Sequence, residues 1–556
     1  MPSMKHLRRS LLLPLALLFT ASSLAAKSYY VSSSTGNDRN AGTIAAAPWK
    51  TIGKVNQLDL VAGDRIFLKS GDKFLDAGLV FLATDRGTAE NPIVVDIYGG
   101  TARAIIMAPP DQHGVNIYNT GGITLRSLYL LGQGPAQSAA TERVGLSLWC
   151  ALKDGSRKSG LRFENLLIKW FFKGISIGAD DPSFSGFQDV TVADCTVESC
   201  LADGIVSSGY TKGGRERQSH RNLQILRTTV SKCYGDPTLK GPHSGSGIIM
   251  AGTNGGLIDQ CVAHDNGGGT NDNSGGGPVG IWCWGCHKVT IQHCLVYNQK
   301  TTPGAQDGGG FDIDGGATDC TIQYCYSYNN EGYGYLVCEF EGATPLTGAV
   351  VRYNISNRDG RARNQSGLGI WNGNPGIEHC RDVVFHNNVV VCDETADSVV
   401  KLGFESHPIS AVFHNNIFAR TAGGKFVNLD RHTDTLVFKG NLYWSMQEKP
   451  EWTWGTNTYA SLDEWRAAPG QPEMNYGKPV GLYADPQLAD LSHGFAATTI
   501  DQLAKMTAFL TAKNSPVIGA GLDLALDEFG HLASGSHDFR GTPTPRGAGN
   551  IGAYEQ

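Results

Sequence analysis

Two columns of residues recur together along most of this chain, in steps too regular for an ordinary globular core. VTVADCTV (190–197), LIDQCVAH (257–264), VTIQHCLVYN (289–298), CTIQYCYSYN (320–329), VVRYNISN (350–357), VVFHNNVV (383–390), AVFHNNIF (411–418) and LVFKGNLY (436–443) share one column. It reads Cys195, Thr228, Cys261, Cys294, Cys325, Asn354, Asn388, Asn416 and Asn441. The second column is a glycine followed by an apolar residue: Gly174-Ile175, Gly204-Ile205, Gly247-Ile248, Gly280-Ile281, Gly310-Phe311, Gly334-Tyr335 and Gly369-Ile370. Two phase-locked columns make each repeat one coil with at least two short strands. Runs of Val, Ile, Phe and Tyr with period two, ended by Gly or Asn, predict an all-β solenoid rather than a helical repeat. Coils stacked roughly 4.8 Å apart let buried Asn amides bond along the stack, with Cys as a small apolar filler in the same column.

The first 26 residues carry Lys5, Arg8 and Arg9, then an apolar run from Leu11 to Phe19, then Ser23-Leu24-Ala25-Ala26. This is the pattern of a cleavable signal peptide, so a secreted or periplasmic product is expected. The formal net charge of −6 becomes more negative once those cations are removed, which argues against nucleic acid or an anionic membrane as partner; a monomer is expected. Thirteen cysteines cannot all pair within one chain, and those in the column are read as structural thiols. CWGC at 283–286 has no second pair at zinc spacing, but a local disulfide there is open in an oxidising compartment.

The chain resembles a right-handed parallel β-helix of the pectin-lyase-like type over nearly all its mature length. YYVSSSTGNDRNAGTIAAAPWKTIGKV (29–55) and AGDRIFLKSG (62–71) are similar to the opening cap of secreted right-handed β-helix repeat proteins; SLDEWRAAPG (461–470), YADPQL (483–488), NSPVIGAG (514–521) and RGAGNIGAYE (546–555) are similar to their closing segment. The resemblance implies a cap and first coils over 27–110, regular repeats over 111–445 and a covering region over 446–556. It specifies the fold more closely than the reaction, because this fold carries hydrolases, lyases, epimerases and non-enzymatic stalks.

DGGGFDIDGG (307–316) is where chemistry concentrates. Asp312 and Asp314, two apart on a strand, face the same way, and Phe311 and Ile313 face the other. Reading outward from each glycine puts Ser176, Val206, Ile249, Trp282, Asp312, Leu336 and Trp371 in one row. The next row is Gly178, Ser208, Ala251, Trp284, Asp314, Cys338 and Gly373. Tryptophans beside carboxylates suit a polysaccharide groove, since pyranose rings stack on indoles and carboxylates bind hydroxyls or move protons. Glu339 and Glu341 would enlarge the acidic group if a bulge turned both outward. Asp and Gly also populate ordinary turns, but four carboxylates on adjacent coils repel one another, a cost that a solvated surface has no reason to concentrate. A calcium-binding nonapeptide repeat is excluded by Phe311 and by the lack of recurrence.

The candidate catalytic set is therefore Asp312, Asp314, Asp307, Glu339, Glu341 and His243, with Trp282, Trp284, Trp371, Arg361 and Arg363 as sugar contacts. His264, His293, His386 and His414 fall inside the repeat pattern and are read as framework. The leading expectation is a secreted glycoside hydrolase that needs no cofactor. The runner-up is a polysaccharide lyase or uronate epimerase with calcium (Ca2+) on Asp312, Asp314 and Glu339 and a base among Lys240, Arg361 and Arg363. A non-enzymatic adhesin or scaffold is the third reading. The resemblance to polygalacturonase-like hydrolases lies in clustered aspartates with a nearby His; the NTD, DD, GHG and RIK signatures of that family are absent.

Overall fold

The computed structural model describes residues 25–134, 142–180, 184–211, 217–239, 243–270, 276–362, 364–403, 405–447, 449–524, 535–545 and 547–555. The expected signal peptide lies outside them except for Ala25 and Ala26. The chain winds as a right-handed parallel β-helix. Its coils build three long parallel sheets of 15, 14 and 14 strands. The first sheet runs from Ser28–Val31 to Leu436–Lys439, the second from Lys73–Phe74 to Leu482–Tyr483, and the third from Leu79–Phe81 to Pro450–Trp454, which an antiparallel strand, Asn457–Tyr459, then closes. Among the described residues the α-helices are three short pieces, Ile52–Val55, Leu462–Arg466 and Ile500–Leu503.

Each coil turns from the first sheet to the second through one left-handed residue. Asp194, Arg227, Gln260, His293, Tyr324, Tyr353, Asn387 and Asn415 hold φ between 44° and 57°. That conformation costs a non-glycine residue about 1–2 kcal/mol, and the next residue offsets the cost. Asn354 N donates to Asn388 Oδ1, Asn388 N to Asn416 Oδ1 and Asn416 N to Asn441 Oδ1, each at 3.0 Å. In the earlier coils Cys195 N donates to Thr228 Oγ1 at 3.3 Å and Cys325 N to Asn354 Oδ1 at 2.9 Å. The expected ladder is present, and the side chain of each coil satisfies the main chain of the coil before it. Its last acceptor is Glu473, fully buried, which takes Gly440 N at 2.6 Å, Asn441 Nδ2 at 2.7 Å and Tyr443 OH at 2.8 Å.

All thirteen cysteines are buried free thiols, so the disulfide left open at CWGC does not form. Cys283 points inward from its strand and bonds to Cys320 on the following coil, whereas Cys286, past the strand end, donates to the Met250 carbonyl of the preceding coil at 3.2 Å. The two thiols thus serve opposite neighbours.

The glycine column marks close approach between coils. A Cβ on Gly280 would sit 2.3 Å from Val296 Cγ1, and one on Gly310 would sit 2.2 Å from Ser327 Oγ and 2.7 Å from the Gly334 carbonyl. One member of the column is corrected: Tyr335 pairs with Leu368, so the glycine after Gly334 is Gly367 rather than Gly369.

Beyond residue 446 the chain does two things. Trp452, Trp454 and Trp465 close the core at the end of the helix, packed on Phe426, Phe438 and Tyr443. The described residues between 484 and 554 then run back along the outer face of the second sheet, where Leu491, Ala497, Met506, Phe509, Val517, Phe539 and Ile551 cover Leu295, Tyr326, Ile355, Val389, Ile417 and Leu442. Tyr328 OH donates to the Ala497 carbonyl at 2.8 Å, and Asn387 Nδ2 to the Asn550 carbonyl at 3.0 Å. This strap hides an apolar sheet face that would otherwise meet water. The third sheet keeps its outer face for other use.

Candidate functional site

The site lies on the outer face of the third sheet. Strand Gly309–Asp314 pairs with Val279–Trp284 on one side and Tyr335–Glu339 on the other, placing Asp312 between Trp282 and Leu336, and Asp314 next to Trp284. Phe311 and Ile313 point into the core, where Phe311 stacks on Tyr335 with ring centroids 5.2 Å apart. The two-residue spacing therefore does put both carboxylates on one face.

Their surroundings differ. Asp312 is 2% exposed, while Asp314 and Asp307 are half-buried and reach solvent. The Cys338 thiol bridges the first two: Sγ lies 3.0 Å from Asp314 Oδ1 and 3.6 Å from Asp312 Oδ2. Gly315 N donates to Asp314 Oδ1 at 2.6 Å, and Gly277 N to Asp307 Oδ2 at 3.0 Å. Burial, reinforced by the Asp314 and Asp307 charges, holds the Asp312 carboxyl well above the carboxylate range. Burial also lifts Asp314 to about 6, opposed by the Cys338 and Gly315 donors. Asp307 is lifted to about 6 by burial and by the Asp314 charge, against the pull of His243. Burial and the neighbouring carboxylates push the Cys338 thiol well above its ordinary value, so it is a protonated donor here. Asp307 and Asp314 thus exchange protons near pH 6 while Asp312 is held protonated, a division that acid–base chemistry can use.

His243 flanks Asp307. A Cβ on Gly276 would lie 3.3 Å from His243 Cδ2 and 3.9 Å from Asp307 Oδ2, and the imidazole packs on Trp282 at 5.4 Å. Trp282 is 5% exposed and donates Nε1 to Ser246 Oγ at 3.3 Å, so it is a packed wall and not the open platform expected for it. Trp284 is half-buried, edge to face with the exposed Phe340 at 5.9 Å.

Three further expectations change. Trp371 pairs with Cys338, which moves it from the Asp312 row into the Asp314 row, two coils beyond Asp314; the cause is the Gly367 register. No bulge turns Glu339 and Glu341 outward. Cys338 takes the outward position instead, Glu339 is fully buried against Gly316 N at 3.3 Å and Asn374 Nδ2 at 3.4 Å, and Glu341 is exposed in the turn that follows. Burial, with the Asp314 charge, lifts Glu339 to about 8. Glu339 thus leaves the expected calcium set, and the third group close to Asp312 and Asp314, with ligand atoms all within 4.8 Å, is the Cys338 sulfur. Two carboxylates and a thiol do not fit a hard oxygen-seeking cation.

Arg361 is exposed and pairs with Asp393 at 3.2 Å; Arg363 and Lys240 lie outside the described residues. The histidines read as framework are engaged elsewhere, His264 with Asp265 at 2.7 Å and His293 with Asp259 at 2.8 Å, while His386 and His414 are buried on the first sheet. In the sequence Cys338 falls in the outward row beside Asp314 but has no role assigned, and Tyr333 carries no mark. Tyr333, whose ring lies over Gly369, joins Leu336, Cys338 and Trp371 in a small apolar cluster. A cavity of about 460 Å³ lined by Trp452, Leu462, Asp463, Arg466 and Tyr483 belongs to the closing end of the helix, several coils from the carboxylates.

Fold and site together define a right-handed parallel β-helix of the pectin-lyase-like type with an acidic cluster on one open sheet. A family model described as "right handed beta helix region" matches residues 183–388, the stretch that contains the cluster. The chain is 24% identical over 518 residues to a lacto-N-biosidase of Bifidobacterium longum subsp. longum; the match covers 76% of this chain and 31% of that protein, so the chain spans about a third of its relative's length. The crystal structure of a GH136 lacto-N-biosidase from Eubacterium ramulus superposes with a TM-score of 0.52 at 20% identity, covering 70% of this chain and 67% of that one. The chain thus has distant similarity to a glycoside hydrolase.

Proposed function

We propose that the protein is an exported glycoside hydrolase in which Asp307 and Asp314 are the acid–base pair that meets the sugar. The observation that carries this reading is the Cys338 thiol bridging Asp312 and Asp314, with Asp307 near enough to feel the Asp314 charge; of the three acids, Asp307 and Asp314 reach solvent. Asp314 is the ionised partner, because an N–H and an S–H both donate to its Oδ1 and favour the anion. Its charge in turn holds a proton on Asp307, which can deliver it to the leaving glycosidic oxygen. Asp312, sealed beneath the thiol, stays protonated and spares the pair a third negative charge. Trp284 and Trp371 flank Asp314 along the sheet and offer stacking surfaces to neighbouring sugars. The distant similarity to lacto-N-biosidases supports hydrolysis over elimination. So does the pairing of Arg361 with Asp393, which leaves that candidate base engaged.

The test is a screen of the purified protein, with and without EDTA, against lacto-N-biosides, neutral polysaccharides and polyuronates. New reducing ends without ultraviolet absorbance of an unsaturated product, insensitive to EDTA, are expected; an absorbing product lost with EDTA would overturn the reading in favour of a lyase. The pH profile should be bell-shaped with its maximum near 6. Below it Asp314 gains a proton and the base is lost; above it Asp307 loses its proton and the acid is lost. Cys338→Ala, which removes one donor to Asp314, is expected to move the acid limb to higher pH, and Cys338→Ser to restore it. An acid limb that stays in place in the alanine variant would show that the thiol does not tune Asp314.

A further inference from the structure

Toward the N-terminal end of the same sheet face, Tyr118 and Trp149 are register partners on adjacent coils, both pointing outward and each 38% exposed. Trp149 is held flat. A Cβ on Gly178, its partner in the next coil, would sit 2.3 Å from Trp149 Cζ3, so the indole lies directly over that glycine; its Nε1 donates to Asp180 Oδ1 at 3.1 Å. One face of the ring is pressed on the sheet and the other is presented to solvent. Two residues before these rings on their strands, a parallel row carries Asn116 and Ser176, both half-buried, with the buried Ser147 between them, an amide and a hydroxyl roughly 7 Å away.

Leaving two large rings side by side in water forgoes burial that aromatic side chains normally gain. Trp149 packs one ring face on Gly178 and is oriented by Asp180, which leaves its other face open. Flat rings bordered by a hydroxyl, an amide and one carboxylate match a pyranose, which has an apolar C–H face and a polar rim. We propose that Tyr118 and Trp149 form a second carbohydrate-binding site, separate from the carboxylate cluster. By register Trp149 lies five coils before Asp314, through Gly178, Ser208, Ala251 and Trp284, a rise of roughly 24 Å. Between the two, Ile249 and Ala251 are covered, so the platform is no extension of the catalytic cleft. A site set apart in this way tethers long or insoluble glycans and leaves short ones unaffected. The choice of ligand class rests on the hydrolase reading; the site itself does not.

The experiment uses the full mature chain, its Trp149→Ala and Tyr118→Ala variants, and Trp149→Phe as a conservative control. Binding to an array of neutral, N-acetylated and uronate oligosaccharides is followed beside turnover of the shortest substrate found active. Affinity for long glycans should fall about five- to tenfold in the alanine variants and less in Trp149→Phe, with short-substrate kcat/KM unchanged. Unaltered affinity in both alanine variants would overturn the site even if hydrolysis is found. Lost affinity in a protein that cleaves nothing would keep the site and sink the hydrolase. A monomeric Trp149→Ala variant of a chain that otherwise dimerises would show that a second copy occupies the platform, and would also overturn the proposal.

Discussion

Asp314→Asn is expected to lower turnover by about three orders of magnitude while leaving the folded protein at least as stable as the parent. The activity loss follows from removing the carboxylate that must be ionised and solvent-reaching. The stability gain follows from linkage. Asp307 and Asp314 bind their protons more tightly in the folded state, with values lifted to about 6 from the ordinary carboxylate range. The contribution of such groups is fully present at pH below about 4, the unfolded value, and is lost as pH rises through about 6. At pH 8 the native cluster is therefore carrying charges it would rather not hold, and an amide relieves part of that. Thermal melts of parent and variant at pH 5 and pH 8 check both statements, the difference favouring the variant at pH 8 and shrinking at pH 5. Asp312→Asn is the informative contrast: a carboxyl that is already protonated and shielded should lose far less activity on becoming an amide. Full activity in Asp314→Asn would remove the proposed pair.

Glu473→Ala should cost on the order of 4 kcal/mol or more. The substitution takes the acceptor away from Gly440 N, Asn441 Nδ2 and Tyr443 OH at once, all in a fully buried setting, and each buried donor left unsatisfied costs about 1–3 kcal/mol. Glu473→Gln keeps one amide oxygen for those donors and should recover a large part of the loss. Because coils stack like repeats with mainly neighbour contacts, the damage should start at the C-terminal coils. Hydrogen exchange at Asn441 and Asn416 should therefore speed up before that at Asn354. Uniform loosening, or none, would show that the ladder does not depend on its terminal acid.

The repeat that is legible in the residues predicts this architecture because both columns have local causes. An Asn or Cys after a left-handed corner and a glycine where two coils touch are requirements of every coil, so they recur and can be read. The acidic face was legible for the same reason, since Asp312 and Asp314 need only the two-residue period of a strand. What failed were statements that depend on counting through an irregular loop. Between Gly334 and Trp371 the glycine that touches the next coil is Gly367, two residues earlier than the obvious GI pair, and the error carried Trp371 into the wrong row. Glu339 needed a bulge to turn outward, and none forms: it sits at a strand end, where Gly316 N and Asn374 hold its carboxyl in the interior.

The amino-acid sequence by itself thus determined the winding of the chain, the ladder of amides and thiols, and the strand that bears the aspartates, all of which follow from period and neighbour identity. Tertiary structure alone decided which acids reach water, that a thiol and not a glutamate joins them, and that Trp149 lies flat on the same face. Those outcomes are set by which loops cover which coil and by contacts between side chains of neighbouring coils, quantities that no local pattern encodes.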